Sequence, residues 1–281
     1  MQSPSSPRAA ASRAPKTGPS AAQADKDSPE QSSLFVNSVE KAMRVLMVFS
    51  ARRRQLSLSQ ISSMTGLDMS AAQRFTFTLL HLKLLRKDPE SKLYELSPRM
   101  LDFGYQYTAS NELVSRATPF LQQLSVETEE TVNLTTLDGP EIVFLQRIVS
   151  RHVLTPEVIV GTRLPAYCTS SGLAILSALP PEEAAAVLDA SELTKYTQHT
   201  VADREQILRR LEKIRALGYA HTEDEMYLGD IATAVPIVDS DDRPLGAINV
   251  AVARSRWKGA EDEQRISSLL MAAGRAISSR G

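Results

Sequence analysis

The chain has 281 residues, of which 42% are apolar and 23% are charged, and its formal net charge is −1. This length predicts about two domains, and the single cysteine, Cys168, excludes an intrachain disulfide framework and fits a reducing compartment. The sequence has neither an apolar run of about 18 residues nor an apolar segment near its N-terminus. We therefore expect a cytoplasmic protein without a membrane span or a secretory signal.

The charge is divided unequally along the chain. Residues 34–97 carry a net charge of +5, whereas residues 98–281 carry −7. A basic segment favours a polyanionic partner, because Lys and Arg displace the counterions condensed on phosphates. A solvated basic surface would give the same charge, so the predicted elements must decide between the two.

Residues 1–33 contain eight Ser, seven Ala and five Pro, and no Val, Ile, Leu, Phe, Tyr or Trp. Such a segment cannot bury enough apolar surface to offset the entropy lost on ordering. We interpret it as a disordered tail rather than a DNA-contacting arm, because its charges are few and scattered.

The basic segment predicts three helices and a hairpin. Apolar residues recur at three- and four-residue spacing over Val39–Phe49, which predicts a first helix that Ser38 can cap. Ser57 and Gly66 suit the two ends of a second helix, and Asp68 suits the start of a third that runs to about Leu84. Alternating residues around an Asp-Pro turn then predict a hairpin. This order is that of a winged helix-turn-helix.

The third predicted helix is the candidate reader of a DNA major groove. Gln pairs with adenine and Arg with guanine, so Gln73 and Arg74 are the candidate base contacts, whereas Ser70 and Thr76 suit phosphates. A module of this shape also serves protein–protein contacts, and that alternative stays open. With the end of the first helix and the wing included, the candidate DNA contacts are Arg52, Arg53, Ser70, Ala71, Gln73, Arg74, Thr76, Phe77, Lys87 and Lys92.

The remaining chain mixes helices and strands. Pro98 opens a connector helix that runs to about Thr108, and the pattern beyond it predicts an α+β domain in which helices cover an antiparallel sheet. We predict helices over Pro119–Glu129, Ser171–Leu179, Pro181–Asp189, Arg204–Leu217 and Glu261–Ile277, and strands over Thr131–Leu137, Ile142–Val149, Val153–Val160, Ile231–Val238 and Leu245–Ala253.

Several segments, in this order, resemble the IclR family of transcriptional regulators. The resemblance covers residues 36–279 and rests on Ser38–Ala42 with Val45-Leu46, Leu56–Ile61 with Gly66-Leu67, Leu164–Gly172, Arg215–Ala220, Glu225, Gly229 and Ala234–Pro236.

The resemblance implies an N-terminal winged helix, a linker helix and a C-terminal effector-binding domain with a GAF-like fold. It implies a sequence-specific regulator that acts as a homodimer or a dimer of dimers on palindromic double-stranded DNA near catabolic genes, with a small organic acid as effector and no cofactor. We therefore divide the chain into a tail (1–33), a DNA-binding domain (34–97), a linker helix (98–112) and an effector-binding domain (113–281).

The resemblance also implies an effector pocket. Independently of it, Ser170 and Ser171 lie at a predicted helix N-terminus, where unpaired N–H groups and the helix dipole favour a carboxylate; a capping serine is the alternative. Asp230 would repel an acid unless it is turned away or pairs with a ligand hydroxyl. The pocket residues implied by the resemblance are Leu154, Thr169, Ser170, Ser171, Asp230, Ala232, Asn249 and Ala251.

A hydrolase is the main alternative among enzymes. Cys168 or Ser170 as nucleophile and His221 as base, with the acids Glu223, Asp224 and Glu225 nearby, would be the residues required. A G-x-S-x-G nucleophile elbow is absent from the sequence, and we predict no catalytic residue. We also predict no metal site, because His81, His152, His199 and His221 are scattered without ligand spacing.

Overall fold

The computed structural model describes residues 32–152 and 157–278. Most of the predicted tail therefore lies outside the described residues. The chain divides into two compact units between Leu101 and Asp102. None of the described helices combines the length and the apolarity that a membrane crossing needs.

The first unit is a winged helix-turn-helix, as predicted. Its elements are α1 (Asn37–Met47), α2 (Leu58–Thr65), α3 (Met69–His81), β1 (Leu85–Lys87) and β2 (Tyr94–Leu96). Ser57 caps α2 in a capping box with Gln60, and Gly66 ends that helix with φ 67°. Asp68 caps α3 by accepting a hydrogen bond from the Ala71 N–H at 2.8 Å. These ends follow from local side-chain chemistry, which is why the sequence reveals them.

Two expectations about the helices of this unit are wrong. Helix α1 begins at Asn37 with Val36, and not Ser38, as its N-cap; of its recurring apolar residues, Leu46 is in the core whereas Met43 and Met47 are exposed. Helix α3 ends at His81 instead of near residue 84, because Lys83 adopts a left-handed φ of 63° and stops the helix.

Helix α4 (Met100–Ser110) occupies most of the predicted connector and buries none of its residues. The next helix, α5 (Glu112–Thr128), starts seven residues before Pro119 and not at it as predicted. Asn111 caps the helix, and Pro119 inside it removes one backbone hydrogen bond without ending it.

The second unit is a six-stranded antiparallel sheet with helices on both faces. The sheet order is β5-β4-β3-β8-β7-β6, which agrees with the predicted fold class. In chain order the elements after α5 are β3 (Thr131–Asp138), β4 (Glu141–Ile148), β5 (Arg163–Pro165), α6 (Ser170–Ala178), α7 (Pro181–Asp189), α8 (Arg204–Leu217), β6 (Ala220–Glu223), β7 (Asp230–Val238), β8 (Pro244–Ala253) and α9 (Ala260–Ser278).

Alternate residues of the sheet enter two separate cores. On one face, side chains such as Leu134 and Val250 pack against α5 and α9. On the other face, Ala234 and Ala247 pack against α6 and α8. The small side chains of this second face leave space below the N-terminus of α6.

Two features hold α6 in place. A Cβ atom on Gly172 would overlap the backbone of Ala166, so only glycine permits this approach of the helix to the short turn at Ala166–Cys168. At the other end, the Arg215 guanidinium donates to the carbonyl oxygens of Ser177 and Leu179 at 2.7 and 2.8 Å.

The predicted strand Val153–Val160 is not observed in its described part. Residues 153–156 lie outside the described residues, and 157–160 form turns and coil. Strands β5 and β6 are absent from the prediction, because three- and four-residue strands carry too few residues for an alternating pattern.

Candidate functional site

Helix α3 presents a polar outer face in the first unit. Ser70, Gln73 and Arg74 are exposed, and Phe77 exposes 71% of its surface. The structure therefore leaves the two candidate base-reading side chains, Gln73 and Arg74, open to a ligand.

Thr76 does not belong to this face. It is fully buried, and its hydroxyl donates to the Ala72 carbonyl at 2.8 Å. Residues four positions apart lie on the same side of a helix, so Thr76 shares the buried position of Ala72. The prediction that Thr76 faces outward is wrong, and Ala71 is itself partly buried against the core.

The basic candidates lie beside α2 and on the wing. Arg52, Arg53 and Arg54 are exposed around a surface depression that Gln60 of α2 also lines. On the wing, the Lys87 ammonium lies 5.0 Å from the ring centre of Tyr94, and Lys92 is exposed with its ammonium donating to a turn carbonyl.

The second unit contains a cavity between the sheet and the N-terminus of α6. The cavity has a volume of about 520 Å³ when its opening to solvent is included. The centre of a water molecule can occupy about 50 Å³ of this volume. Leu154 lies outside the described residues. The other seven predicted pocket residues all line this cavity: Thr169, Ser170, Ser171, Asp230, Ala232, Asn249 and Ala251.

The N-terminus of α6 faces the cavity. Thr169, not a serine, is its N-cap, and the Thr169 hydroxyl accepts a hydrogen bond from the Gly172 N–H at 3.3 Å. Among the described residues, the backbone N–H groups of Ser170 and Ser171 have no acceptor. Such N–H groups, with the positive end of a helix dipole, are the kind of groups that stabilise an anion.

The cavity floor comes from neighbouring strands. Asp230 and Ala232 lie on β7, and Ala232 pairs with Ala251 of β8. Asn249 of β8 pairs with Asn133 of β3, whose amide Nδ2 donates to the Asn249 Oδ1 at 3.1 Å. Asn133 also lines the cavity, although the sequence reasoning did not select it.

Arg147 is a second cavity residue that no pattern in the sequence predicts. The pairing of β4 with β3 shifts by one residue between Leu134 and Thr135 and leaves Leu145 as an extra residue. Phe144 before this bulge and Arg147 after it both line the cavity, although strict alternation would place them on opposite faces. The bulge therefore turns a guanidinium toward the cavity.

Asp230 and Arg147 set the charge of the cavity. Burial raises the pKa of Asp230 to about 6; Arg147 opposes this rise and Asp224 adds to it. Burial also lowers the pKa of Arg147, and Asp230 opposes that change. The cavity thus contains a guanidinium beside a carboxyl group that is easily neutralised.

Glu225, from the segment that resembles the family, is held by a fixed counter-charge. Its carboxylate receives hydrogen bonds or ion-pair contacts from Arg210 at 2.7 and 2.9 Å, and Arg210 also donates to the His221 carbonyl at 2.6 Å. Because Arg210 compensates the Glu225 charge, we assign this pair a structural role at the cavity wall.

Cys168 has the properties of a buried thiol and not of a nucleophile. Burial raises its pKa to about 12, so the reactive thiolate is scarce at neutral pH. The His221 ring bonds to Thr233 and Glu223 and stacks on Trp257. In the part of the chain that the structure describes, no group of three His, Cys, Asp or Glu residues could hold a metal ion.

Comparison with known proteins identifies both units. A family model described as bacterial transcriptional regulator IclR C-terminal matches residues 105–279, and one described as IclR helix-turn-helix domain matches residues 38–89. The Pca regulon regulatory protein of Pseudomonas putida is 32% identical over 244 residues, which cover 86% of this chain and 83% of that protein.

Two further proteins are similar along most of the chain. The p-hydroxybenzoate hydroxylase transcriptional activator of Acinetobacter baylyi is 30% identical over 220 residues, covering 76% of this chain and 80% of that protein. The crystal structure of a transcriptional regulator from Rhodococcus sp. RHA1 superposes with a TM-score of 0.76 at 29% identity, covering 87% of this chain and 98% of that chain. The chain belongs to the IclR family of transcriptional regulators.

Proposed function

We propose that this regulator binds a specific DNA operator and that a small organic acid in the cavity of the second unit changes its affinity for that operator. The observation that carries the proposal is the presence, in one cavity, of two backbone N–H groups without acceptors at Ser170 and Ser171 and of the Arg147 guanidinium. Both kinds of group stabilise a carboxylate.

The apolar part of the cavity favours an acid with an apolar body. Ile142, Phe144 and Leu164 line it together with the polar groups. Two relatives are named for the Pca regulon and for p-hydroxybenzoate hydroxylase, and the second name supports an aromatic acid as the effector class. We therefore propose that the regulated genes belong to a catabolic pathway for such acids.

An exposed apolar stripe on α1 supports a homodimer. Val39, Met43 and Met47 recur at four-residue spacing along one side of α1, Val36 precedes them at its N-cap, and each exposes about half of its surface or more. Helix α4 exposes four further large side chains. Contiguous exposed apolar surface of this kind favours a protein partner, and a second copy of the chain would present two α3 helices to a palindromic operator. The exposed side chains of α4 are Leu101, Phe103, Tyr105 and Tyr107.

The effector acts to the extent that it binds two states of the protein unequally. The proposal requires a state with high operator affinity and a state with low operator affinity, and it requires the acid to favour one of them. It does not depend on whether the acid raises or lowers transcription.

Titration calorimetry with benzoate on the full chain tests the acid site. We expect saturable binding, and we expect Arg147→Met to weaken it about tenfold or more, because a charge-assisted hydrogen bond is lost. Arg209→Met is the matched control, since Arg209 is exposed on α8 and does not line the cavity.

Equal losses in the two variants would contradict the assignment of Arg147. Absence of benzoate binding, together with absence of a response to any acid in a thermal-shift screen of aromatic, keto and hydroxy acids, would contradict the acid effector. Failure to protect any duplex DNA would favour the alternative in which the winged helix docks a protein.

A further inference from the structure

We propose that Asn133 reads a hydroxyl group on the effector, so that the effector is a hydroxylated carboxylic acid and not a plain one. This inference rests on the proposed acid site. It adds a second anchor, on β3, to the carboxylate position at α6 and Arg147.

The Asn133 side chain is deeply buried, and only one of its two polar groups has a hydrogen-bond partner among the described residues. Only 2% of the residue is exposed, and its Nδ2 donates to the Asn249 Oδ1 at 3.1 Å. Its own Oδ1 has no hydrogen-bond partner among the described residues. A buried carbonyl oxygen without a donor is rare in folded proteins and carries a desolvation penalty, which a bound group in the cavity would relieve.

The neighbouring polar groups on β3 do not supply that donor. The hydroxyl of Thr135 donates its proton to the Ala247 carbonyl, and none of the described residues, Thr131 included, donates to the Asn133 Oδ1. Asn249 uses its Oδ1 as the acceptor of the Asn133 amide. Because Asn133 lines the cavity, a ligand that enters it can bring a donor to the Asn133 Oδ1.

The chemistry of the cavity selects a hydroxyl group. A second carboxylate would bring another negative charge and no donor, beside Asp230 and Glu225. An ammonium group would lie in the same cavity as the Arg147 cation. A hydroxyl group donates one hydrogen bond without adding charge at neutral pH, so it fits the free acceptor and leaves the carboxylate position unchanged.

The orientation of the two amides gives a clear alternative. If the oxygen and nitrogen of both side-chain amides exchanged places, the Asn249 Nδ2 would donate to the Asn133 Oδ1. The Asn133 Nδ2 would then be the atom without a partner. The cavity would then favour a ligand acceptor, which a methoxy oxygen can supply as well as a hydroxyl oxygen. A comparison of hydroxyl and methoxy ligands therefore separates the two orientations.

The test uses titration calorimetry on the full chain with benzoate, its 2-, 3- and 4-hydroxy isomers, and the matching methoxybenzoates. We expect one hydroxy isomer to bind about tenfold more tightly than benzoate, because it satisfies a buried acceptor. Its methoxy counterpart should show no such gain. The preferred isomer reports the spacing between the carboxylate position and Asn133.

Three variants assign the preference to Asn133. Asn133→Leu should bind the preferred hydroxy acid and benzoate with affinities within about threefold of each other, since the acceptor is gone. Asn133→Asp keeps an acceptor and should retain the preference, although it weakens every acid. Thr135→Val is the control, because Thr135 is buried on the same strand face but does not line the cavity, and it should retain the preference.

Four results would show that Asn133 does not recognise a hydroxyl group of the effector. Equal affinity for benzoate and all three hydroxy isomers would overturn it while leaving the acid site intact, and so would a preference that persists in Asn133→Leu. A methoxy isomer that binds as tightly as its hydroxy counterpart would also overturn it, even if Asn133→Leu does not fold. Absence of binding by every acid would overturn the proposed function as well.

Discussion

Asp230 is the residue at which the charge of the cavity depends on pH. Its pKa is raised to about 6 by burial, with Arg147 opposing the rise. A carboxyl group with a raised pKa keeps its proton below that value and is ionised above it. Near neutral pH, Asp230 therefore repels a bound carboxylate, whereas near pH 5 it does not.

We expect the affinity for benzoate to fall about tenfold between about pH 5.5 and about pH 7.5, because binding of the anion is linked to proton uptake by Asp230. Benzoate itself stays ionised over this range. Calorimetry at several pH values measures how steeply the affinity for benzoate falls with pH. Asp230→Asn should remove the pH dependence; a slope that is equally steep in that variant would show that another group titrates.

The raised pKa of Asp230 also makes the stability of the fold depend on pH. Between pH 3.8, the ordinary pKa of Asp, and about 6, the folded chain binds more protons at Asp230 than the unfolded chain does. The contribution of Asp230 to the free energy of unfolding therefore decreases as the pH rises through this window. We therefore expect the free energies of unfolding of the native chain and of Asp230→Asn to differ more at pH 7 than at pH 4. At pH 7 the Asp230→Asn variant should be the more stable of the two, and denaturant titration measures both values.

Gly172 is required by packing. In Gly172→Ala the new methyl group would overlap the Ala166 backbone, and we expect the free energy of unfolding to fall by about 3 kcal/mol. Gly104→Ala on α4 is the control, since its Cβ would meet no atom within 4 Å. Denaturant titration that finds the two variants equally stable would show that the turn at Ala166–Cys168 yields without cost.

At the scale of elements, Arg215 links the end of α6 to α8. Arg215→Met removes two hydrogen bonds to the Ser177 and Leu179 carbonyls, and we expect it to lower the free energy of unfolding by about 1–2 kcal/mol. Thermal unfolding measures this loss against Arg209→Met. Identical unfolding temperatures for the two variants would show that solvent replaces these hydrogen bonds.

Helix ends were predictable where the capping chemistry is local. Asp203 and Gly218 mark the two ends of α8 in the sequence, and the structure places its N-cap and its left-handed C-cap at these residues. The same holds for Ser57 and Gly66 at α2. These signals need only the residues next to the helix end, so one sequence is enough to read them.

Positions that depend on pairing were not predictable. Arg147 enters the cavity because the bulge at Leu145 shifts the alternation of β4, and no residue near Leu145 marks the bulge in the sequence. Asn133 enters it because β3 pairs with β8, a contact between residues more than a hundred positions apart. The helix N-terminus of the cavity was predicted from local chemistry, whereas its cation and its buried amide required the sheet.

At the scale of the whole molecule, opposite charges lie on different segments of the chain. Residues 34–97 carry +5 and residues 98–281 carry −7. The small total of −1 therefore does not argue against a nucleic-acid partner, because a basic segment binds phosphates whatever the charge of the rest. We expect DNA affinity to fall steeply with salt concentration.

The apolar stripe of α1 predicts the oligomeric state. Met43→Glu places a charge in the middle of an exposed apolar stripe, and we expect sedimentation velocity to show a shift from dimer to monomer. Ser38→Glu, at an exposed polar position of the same helix, should remain a dimer. A dimer that persists in Met43→Glu would place the contact between copies elsewhere.

We expect an acid bound in the cavity to change the affinity of the protein for DNA. The direct measurement is the affinity of the full chain for a duplex selected from a random library, with and without a saturating concentration of the acid that calorimetry identifies. We predict a change of about fivefold or more, its loss in Arg147→Met, and loss of sequence preference in Arg74→Ala. An equal DNA affinity with and without the saturating acid would contradict regulation of this protein by the acid.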